Sequence, residues 1–135
     1  MNFPGIKTGM SITIARTIAE SDTVGNHLPD DIVLMMSSPG LVSIMIEASV
    51  RMIDPLLPDG FLSVGKSSEV VHEHPTVVGS TIHVTVTVVE FDGYHITIAM
   101  EAADDMGSCG RGTHTRTIVN KRWLNLRIAK RLSSL

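Results

Sequence analysis

The chain of 135 residues contains a single cysteine, Cys109, so no disulfide can close within it. Aromatic residues amount to only 4%, which leaves a core to be built from Val, Ile, Leu and Met. A strong charge of either sign is also missing. Eleven basic against fourteen acidic residues give a formal net charge of −3, a poor match to nucleic acid as a partner. No apolar run approaches the roughly 18 residues of a membrane span. The opening Met-Asn-Phe-Pro-Gly has neither the charged nor the apolar part of a secretory signal. A reducing cytoplasm is the expected location. There is no phosphate-binding glycine loop, no Gly-x-Ser-x-Gly elbow, no Cys-x-x-Cys pair and no His-Glu-x-x-His helix. Each absence removes one class of ready-made chemistry.

What is present suffices for one ordered domain over 1–135. The hydrophobic fraction of 43% is too high for a disordered chain, and the length allows a sizeable core. No internal repeat or low-complexity segment interrupts it.

The organising stretch runs from Ser38 to Pro55. Leu41, Val42, Ile44, Met45, Ile46, Ala48, Val50, Met52 and Ile53 cover most of a helical wheel. Ser43, Glu47 and Arg51, spaced four apart, form a narrow polar stripe. A helix this apolar is expected to be buried on nearly all sides. Ser38 suits the N-cap and Pro39 the first helical position, and Pro55 stops the helix.

Around it the chain reads mostly as strands. Met10 to Ala19, rich in Ile and Thr, predicts the first. Glu20 to Met36, with Gly25-Asn26 and Pro29, predicts a long connection. Leu57-Pro58-Asp59-Gly60 is a turn. Phe61 to His74 predicts a second strand, in which Gly65 suggests a bulge or a close backbone approach. Gly79 to Phe91 alternates cleanly, with Ile82, Val84, Val86 and Val88 on one face. Asp92-Gly93 marks a hairpin leading to Tyr94–Ala102. After a turn at Asp104 to Gly107, Ser108 to Asn120 predicts the last strand. Lys121 to Leu132 predicts a short terminal helix. It holds Lys121, Arg122, Arg127, Lys130 and Arg131, five of the eleven basic residues. These read as a solvated face with cations near a helix C-terminus or as an anion-binding patch. The sum is an α+β chain: an antiparallel five-stranded sheet wrapped around one central helix, the hotdog arrangement.

Candidate chemistry is scattered. His72 and His74 share a strand face, but nothing completes a metal set nearby, so no metal is expected. Either histidine is a partly exposed strand residue or a catalytic one. His83, His95 and His114 are expected at the surface. Glu47 and Arg51 form an i, i+4 pair, which by itself reads as a helix salt bridge. Cys109 reads as a reduced structural thiol.

Five segments together resemble one family: Ser-Pro-Gly-Leu-Val at the helix start, Glu-Ala-Ser-Val-Arg within it, Pro-Asp-Gly-Phe-Leu-Ser-Val-Gly, His72 followed by Pro-Thr-Val-Val-Gly, and Gly-Thr-His-Thr-Arg ending at Arg116. In order and spacing they resemble the hotdog thioesterases of the fluoroacetyl-CoA thioesterase type, over roughly Thr23 to Asn125. The resemblance implies a thioesterase that hydrolyses a short-chain acyl-CoA, with CoA as part of the substrate and no separate cofactor. It also implies a homodimer whose sheets pair edge to edge with sites between subunits. By match, the catalytic hydroxyl is Ser38, the histidine His72, and the substrate-region residues are Gly65 and Arg116. The family's helix glutamate falls on Ile46, with Glu47 one position later, a rotation of about 100°. Glu47 is thus either a shifted catalytic carboxylate or only the partner of Arg51.

Thioester hydrolysis needs a nucleophile or activated water, a base near neutral pKa and donors for the oxyanion. His72 has the intrinsic pKa of the base. Backbone N–H groups around Gly40 and Leu41 at the helix start are the expected donors, with Gly40 leaving room for a carbonyl. Ser38 is nucleophile, water-positioner or cap. A hotdog dimer that binds a CoA ester or other acyl ligand without turnover is the alternative; a dehydratase of hydroxyacyl thioesters lacks the expected helix pattern.

Overall fold

A computed structural model describes residues 2–23 and 27–135; Gly25-Asn26 of the expected connection lie outside the described residues. The sheet comprises β1 (Ser11–Thr17), β2 (Phe61–His72), β3 (Thr81–Phe91), β4 (His95–Asp104) and β5 (Gly107–Asn120). The helices are α1 (Ser38–Ile53) and α2 (Lys121–Leu132), with single 3-10 turns at Glu20–Thr23 and Asp54–Leu56. The strand order is β1-β3-β4-β5-β2 and every neighbouring pair is antiparallel. Strands β1 and β2 therefore form the two edges.

Alternation decides the faces. Ile82, Val84, Val86 and Val88 of β3 and Ile96, Ile98, Met100 and Ala102 of β4 are buried beneath α1. Leu41, Ile44, Met45, Ala48, Met52 and Ile53 of α1 close over them. Residues between the inward ones carry hydroxyls on the far face, where Thr13 and Thr85 meet across β1 and β3 at 2.8 Å. Burying a Val, Leu, Ile or Met side chain is worth about 1.5–3 kcal/mol, so this helix-on-sheet contact dominates the stability. The bulge expected at Gly65 is present: the β2–β5 register shifts between Gly65 and Ser67. Strand β2 ends at His72, so His74 lies beyond it.

Two expectations about the fold need correction. The N-cap of α1 is Ser37, not Ser38: its backbone is extended, and its Oγ accepts from the Gly40 N–H at 3.0 Å while donating to the Asp22 carbonyl. Of two consecutive serines only one can hold the extended cap geometry, and Ser38 becomes the first helical residue. His114 is not at the surface; it is 1% exposed, because it shares the inward face of β5 with Ile118. Helix α2 forms as expected and carries no buried residue, so Trp123, Leu126 and Leu132 stay exposed.

The two serines should separate by stability. Ser37→Ala is expected to destabilise the fold by about 1 kcal/mol through loss of the cap. Ser38→Ala should stay within about 0.5 kcal/mol of the parent. Urea unfolding of the two variants checks this, and a larger loss for Ser38→Ala would reverse the cap assignment.

Candidate active site

Helix α1 begins beside the end of β2, which brings Ser38 and His72 together. Ser38 Oγ lies 3.0 Å from His72 Nδ1. Ser38 is exposed and His72 half-buried. Met35, Ser38, His72, Glu73, His74 and Pro75 surround a cleft at this point. Burial pushes the His72 pKa below its usual 6.5, partly opposed by the backbone of His74. Its Nε2 is buried and has no hydrogen-bond partner among the described residues. When Nδ1 accepts from Ser38, the ring's one proton sits on this Nε2. His72 is thus held neutral near pH 7 with one nitrogen on a hydroxyl.

The helix start is less open than the sequence suggests. The Gly40 N–H is taken by Ser37 Oγ, and the Leu41 N–H by the Ser37 carbonyl at 3.0 Å. The space beside Gly40 is also filled: a Cβ there would lie 2.4 Å from the Asp22 carbonyl oxygen. Gly40 lets the loop before the helix approach, and Leu41 is a core residue with no exposure. These N–H groups are occupied in the chain, and the Ser38 side chain lies at the cleft.

Glu47 lies nine residues along α1 from Ser38, about 13 Å by helical rise. Its carboxylate pairs with Arg16 of β1 and, at 3.5 Å, with Arg51. The chain does not bring it to His72. The residue aligned with Ser38 is Ile46, which lines a groove on the outer face of α1 with Ser38, Pro39, Val42 and Ser43. Ser38 thus stands where a polar cleft meets an apolar groove.

Gly65 and Arg116 form a separate group, directly paired across β2 and β5. They lie on the same sheet face as His72 but about 20 Å away along the strand. Arg116 is 5% exposed. It donates from Nε to Ser63 Oγ at 2.7 Å and from Nη2 to the Ser63 carbonyl at 2.8 Å. Ser63 Oγ in turn donates to Asp54. Burial lowers the Arg116 pKa, and the charge of Asp54 works against that. His114 completes the group, with Nε2 3.1 Å from Arg116 Nη1. Sequence reasoning missed His114, Ser63 and Asp54. The spacing held the clue to His114: two residues from Arg116 on a strand, it must share its face.

Cys109 is buried and its thiol pKa is raised, mainly by burial; it accepts a hydrogen bond from Thr76 and is structural. Among the described residues no three His, Cys, Asp or Glu side chains gather as a metal site requires, and no helix is long and apolar enough to cross a membrane.

Comparison with known proteins bears on the family and the fold. A family model described as fluoroacetyl-CoA-specific thioesterase matches residues 18–122. The fluoroacetyl-CoA thioesterase of Streptantibioticus cattleyicolor is 29% identical over 91 residues, 67% of this chain and 66% of that protein. The match thus spans just under two thirds of the relative's length. A hot-dog-like protein from Thermanaerovibrio acidaminovorans is 31% identical, with a TM-score of 0.90 and coverage of 97% of each chain. A structure of the fluoroacetyl-CoA thioesterase FlK superposes with a TM-score of 0.83 at 24% identity, covering 93% of this chain and 96% of that one. That last likeness bears on the fold.

Acid should expose the state of the half-buried His72 and the buried His114. His72 and His114 both have folded pKa values pushed below the usual 6.5. Below about that pH the unfolded chain binds protons that the folded chain refuses. Stability contributed by the neutral rings is complete above the unfolded pKa and is lost as pH falls toward the folded values. A decrease in Tm on acidification from pH 7 to about 5 is expected, with NMR titration midpoints of both rings below 6.5. A midpoint at or above that value for either ring contradicts its burial.

Proposed function

Since the chain belongs to the fluoroacetyl-CoA-specific thioesterase family, we propose that it is an acyl-CoA thioesterase, releasing the free acid and CoA from a short-chain acyl-CoA. The observation that carries this reading is the Ser38–His72 hydrogen bond at the mouth of an apolar groove. His72 is the base. Its Nδ1 faces Ser38, and its lowered pKa keeps it unprotonated at neutral pH, as proton abstraction requires. The base acts through Ser38, on the hydroxyl itself or on a water that the hydroxyl holds. The groove along Pro39, Val42 and Ile46 offers the acyl group an apolar wall. CoA enters as part of the substrate, and no other cofactor is assigned a role.

Glu47 is assigned to a strap between α1 and β1 rather than to catalysis, since two arginines hold its carboxylate. With Ile46 in the family's carboxylate position, the hydrolytic machinery within the chain reduces to Ser38 and His72. That same absence motivates a second reading, a dimer that binds acyl-CoA without turnover. A panel of acyl-CoAs with a thiol reagent tests the two: released CoA supports hydrolysis, and tight binding without release supports the module.

A homodimer is part of the proposal. Strand β2 is an edge of twelve residues with its outer backbone groups unpaired in the sheet, an arrangement that calls for cover. Antiparallel pairing of two such edges would run the His72 end of one β2 toward the Gly65 end of the other. It would thereby shorten the separation between His72 and the Arg116 group. A cytoplasmic location fits the free, buried thiol of Cys109.

His72→Ala is expected to lower kcat/KM by about a hundredfold or more, the usual weight of a general base. His83→Ala, on the exposed face of β3, should have no effect; comparable losses from both would show that the wrong histidine has been assigned. Glu47→Gln should leave kcat within about twofold of the parent and reduce stability by about 0.2–1 kcal/mol, as for a partly exposed ion pair. A drop in kcat of orders of magnitude in a folded Glu47→Gln would return Glu47 to the active site.

A further inference from the structure

His114 is a buried titratable group to which the proposed mechanism gives no role. It is also tied into a network with no slack. Nδ1 lies 2.9 Å from the Ser67 carbonyl oxygen and 2.7 Å from Ser68 Oγ, at the β2 bulge. A carbonyl can only accept, so Nδ1 carries the proton. Nε2 lies 3.1 Å from Nη1 of Arg116, and a guanidinium can only donate, so Nε2 is the acceptor. Both neighbours therefore demand one and the same tautomer of a neutral ring.

Arg116 needs such a contact. Among the described residues no carboxylate lies within salt-bridge distance of it. Asp54 reaches it only through Ser63 Oγ. Ser63 fixes the Nε and Nη2 side of the guanidinium, and among the described residues His114 is what holds Nη1. Nη1 is also the atom beneath Gly65: a Cβ on Gly65 would lie 3.5 Å from it and 3.4 Å from His114 Cε1. A side chain at position 65 would lie directly over the spot where histidine and arginine meet.

We propose that His114 is a positioning residue for Arg116: its Nε2 lone pair fixes the Nη1 end of the guanidinium beneath Gly65, where that end serves the acyl-CoA site. The part of this that concerns turnover rests on the thioesterase reading; the part that concerns the guanidinium does not. His114 touches no substrate. The bulge supports it in this role, because the register shift after Gly65 is what presents the Ser67 carbonyl to Nδ1.

Two near-isosteric variants separate positioning from mere support of the bulge. His114→Gln places an acceptor near the Nε2 position and gives up the Ser67 bond. His114→Asn keeps a donor for Ser67 and gives up the acceptor for Arg116. In the full-length protein, kcat and KM for acetyl-CoA, Tm, and nitrogen-15 NMR of the imidazole and guanidinium groups are measured for both. Positioning predicts that Gln stays within about threefold of the parent kcat/KM. Asn loses about ten- to a hundredfold, the weight of one hydrogen bond to a charged group, even where its Tm equals that of Gln. The spectra should show Nδ1 protonated and Nε2 free in the parent, and slow exchange of the Arg116 Nη protons in parent and Gln but not in Asn. Retained slow exchange in Asn, or a protonated Nε2 in the parent, overturns the proposal whatever the activity. If the exchange pattern holds while Arg116→Ala leaves turnover unchanged, the claim that this end of the guanidinium serves the site is overturned. Absence of any CoA release by the parent would instead strike the thioesterase reading, with the exchange data still deciding the His114–Arg116 contact.

Discussion

The contact between the first turn of α1 and the loop at Asp22 determines what the active end of the molecule can do. Ser37 Oγ bonds both ways, accepting from the Gly40 N–H and donating to the Asp22 carbonyl, while the Ser37 N–H reaches the same carbonyl at 2.9 Å. A Cβ at Gly40 would collide with that oxygen. The helix is therefore docked by backbone groups at close range, and its first residue, Ser38, is freed from capping. A hydroxyl spent on the cap would have its lone pairs turned into the helix. Relieved of that duty, Ser38 faces His72. The apolar burial of Leu41, Ile44 and Met45 just beyond then makes the position of Ser38 rigid, since moving it means moving the core.

The opposite arrangement holds at the Arg116 end of the same sheet face. There a cation is buried without a direct carboxylate, and its hydrogen bonds go to a serine, a backbone carbonyl and a neutral histidine. Burying an ion in this way is unfavourable unless its donors are satisfied. Structural burial alone would favour an apolar side chain at position 116, like Ile118 two residues on. A buried guanidinium opposite a glycine therefore has to be held by its hydrogen bonds to Ser63 and His114.

Much of this was legible in the sequence, and the failures have physical causes. The alternation of β3, the apolar wheel of α1 and the Asp92-Gly93 turn sufficed for the fold, because each is a local pattern with one consistent burial solution. The Ser38–His72 pair came from the resemblance to the family and proved to be a contact. The occupied N–H groups at Gly40 and Leu41 were not legible: whether a helix terminus is open depends on what the preceding loop does, and that is a tertiary fact. Arg16 was missed for the same reason, since the pairing of Glu47 across to β1 follows from sheet order and not from helix spacing. His114 was misplaced although its parity with Arg116 was visible; a polar residue on an otherwise polar stretch gives no sign of burial until the strand is known to be covered.

The one-residue offset between Ile46 and Glu47 is where this chain departs from the pattern of its family, and the surrounding residues accommodate it. A carboxylate turned by about 100° on the helix needs a new partner or exposure to water. Arg16 provides the partner from β1, and Arg51 a second from the next turn. In the vacated position Ile46 continues the line Ser38–Val42–Ile46, four residues apart, as an apolar wall to the groove. Ile46 thus leaves this wall of the groove apolar where a carboxylate would have charged it. On the proposed thioesterase reading, proton transfer within the chain then rests on His72, which burial keeps unprotonated near neutral pH and whose Nδ1 faces Ser38.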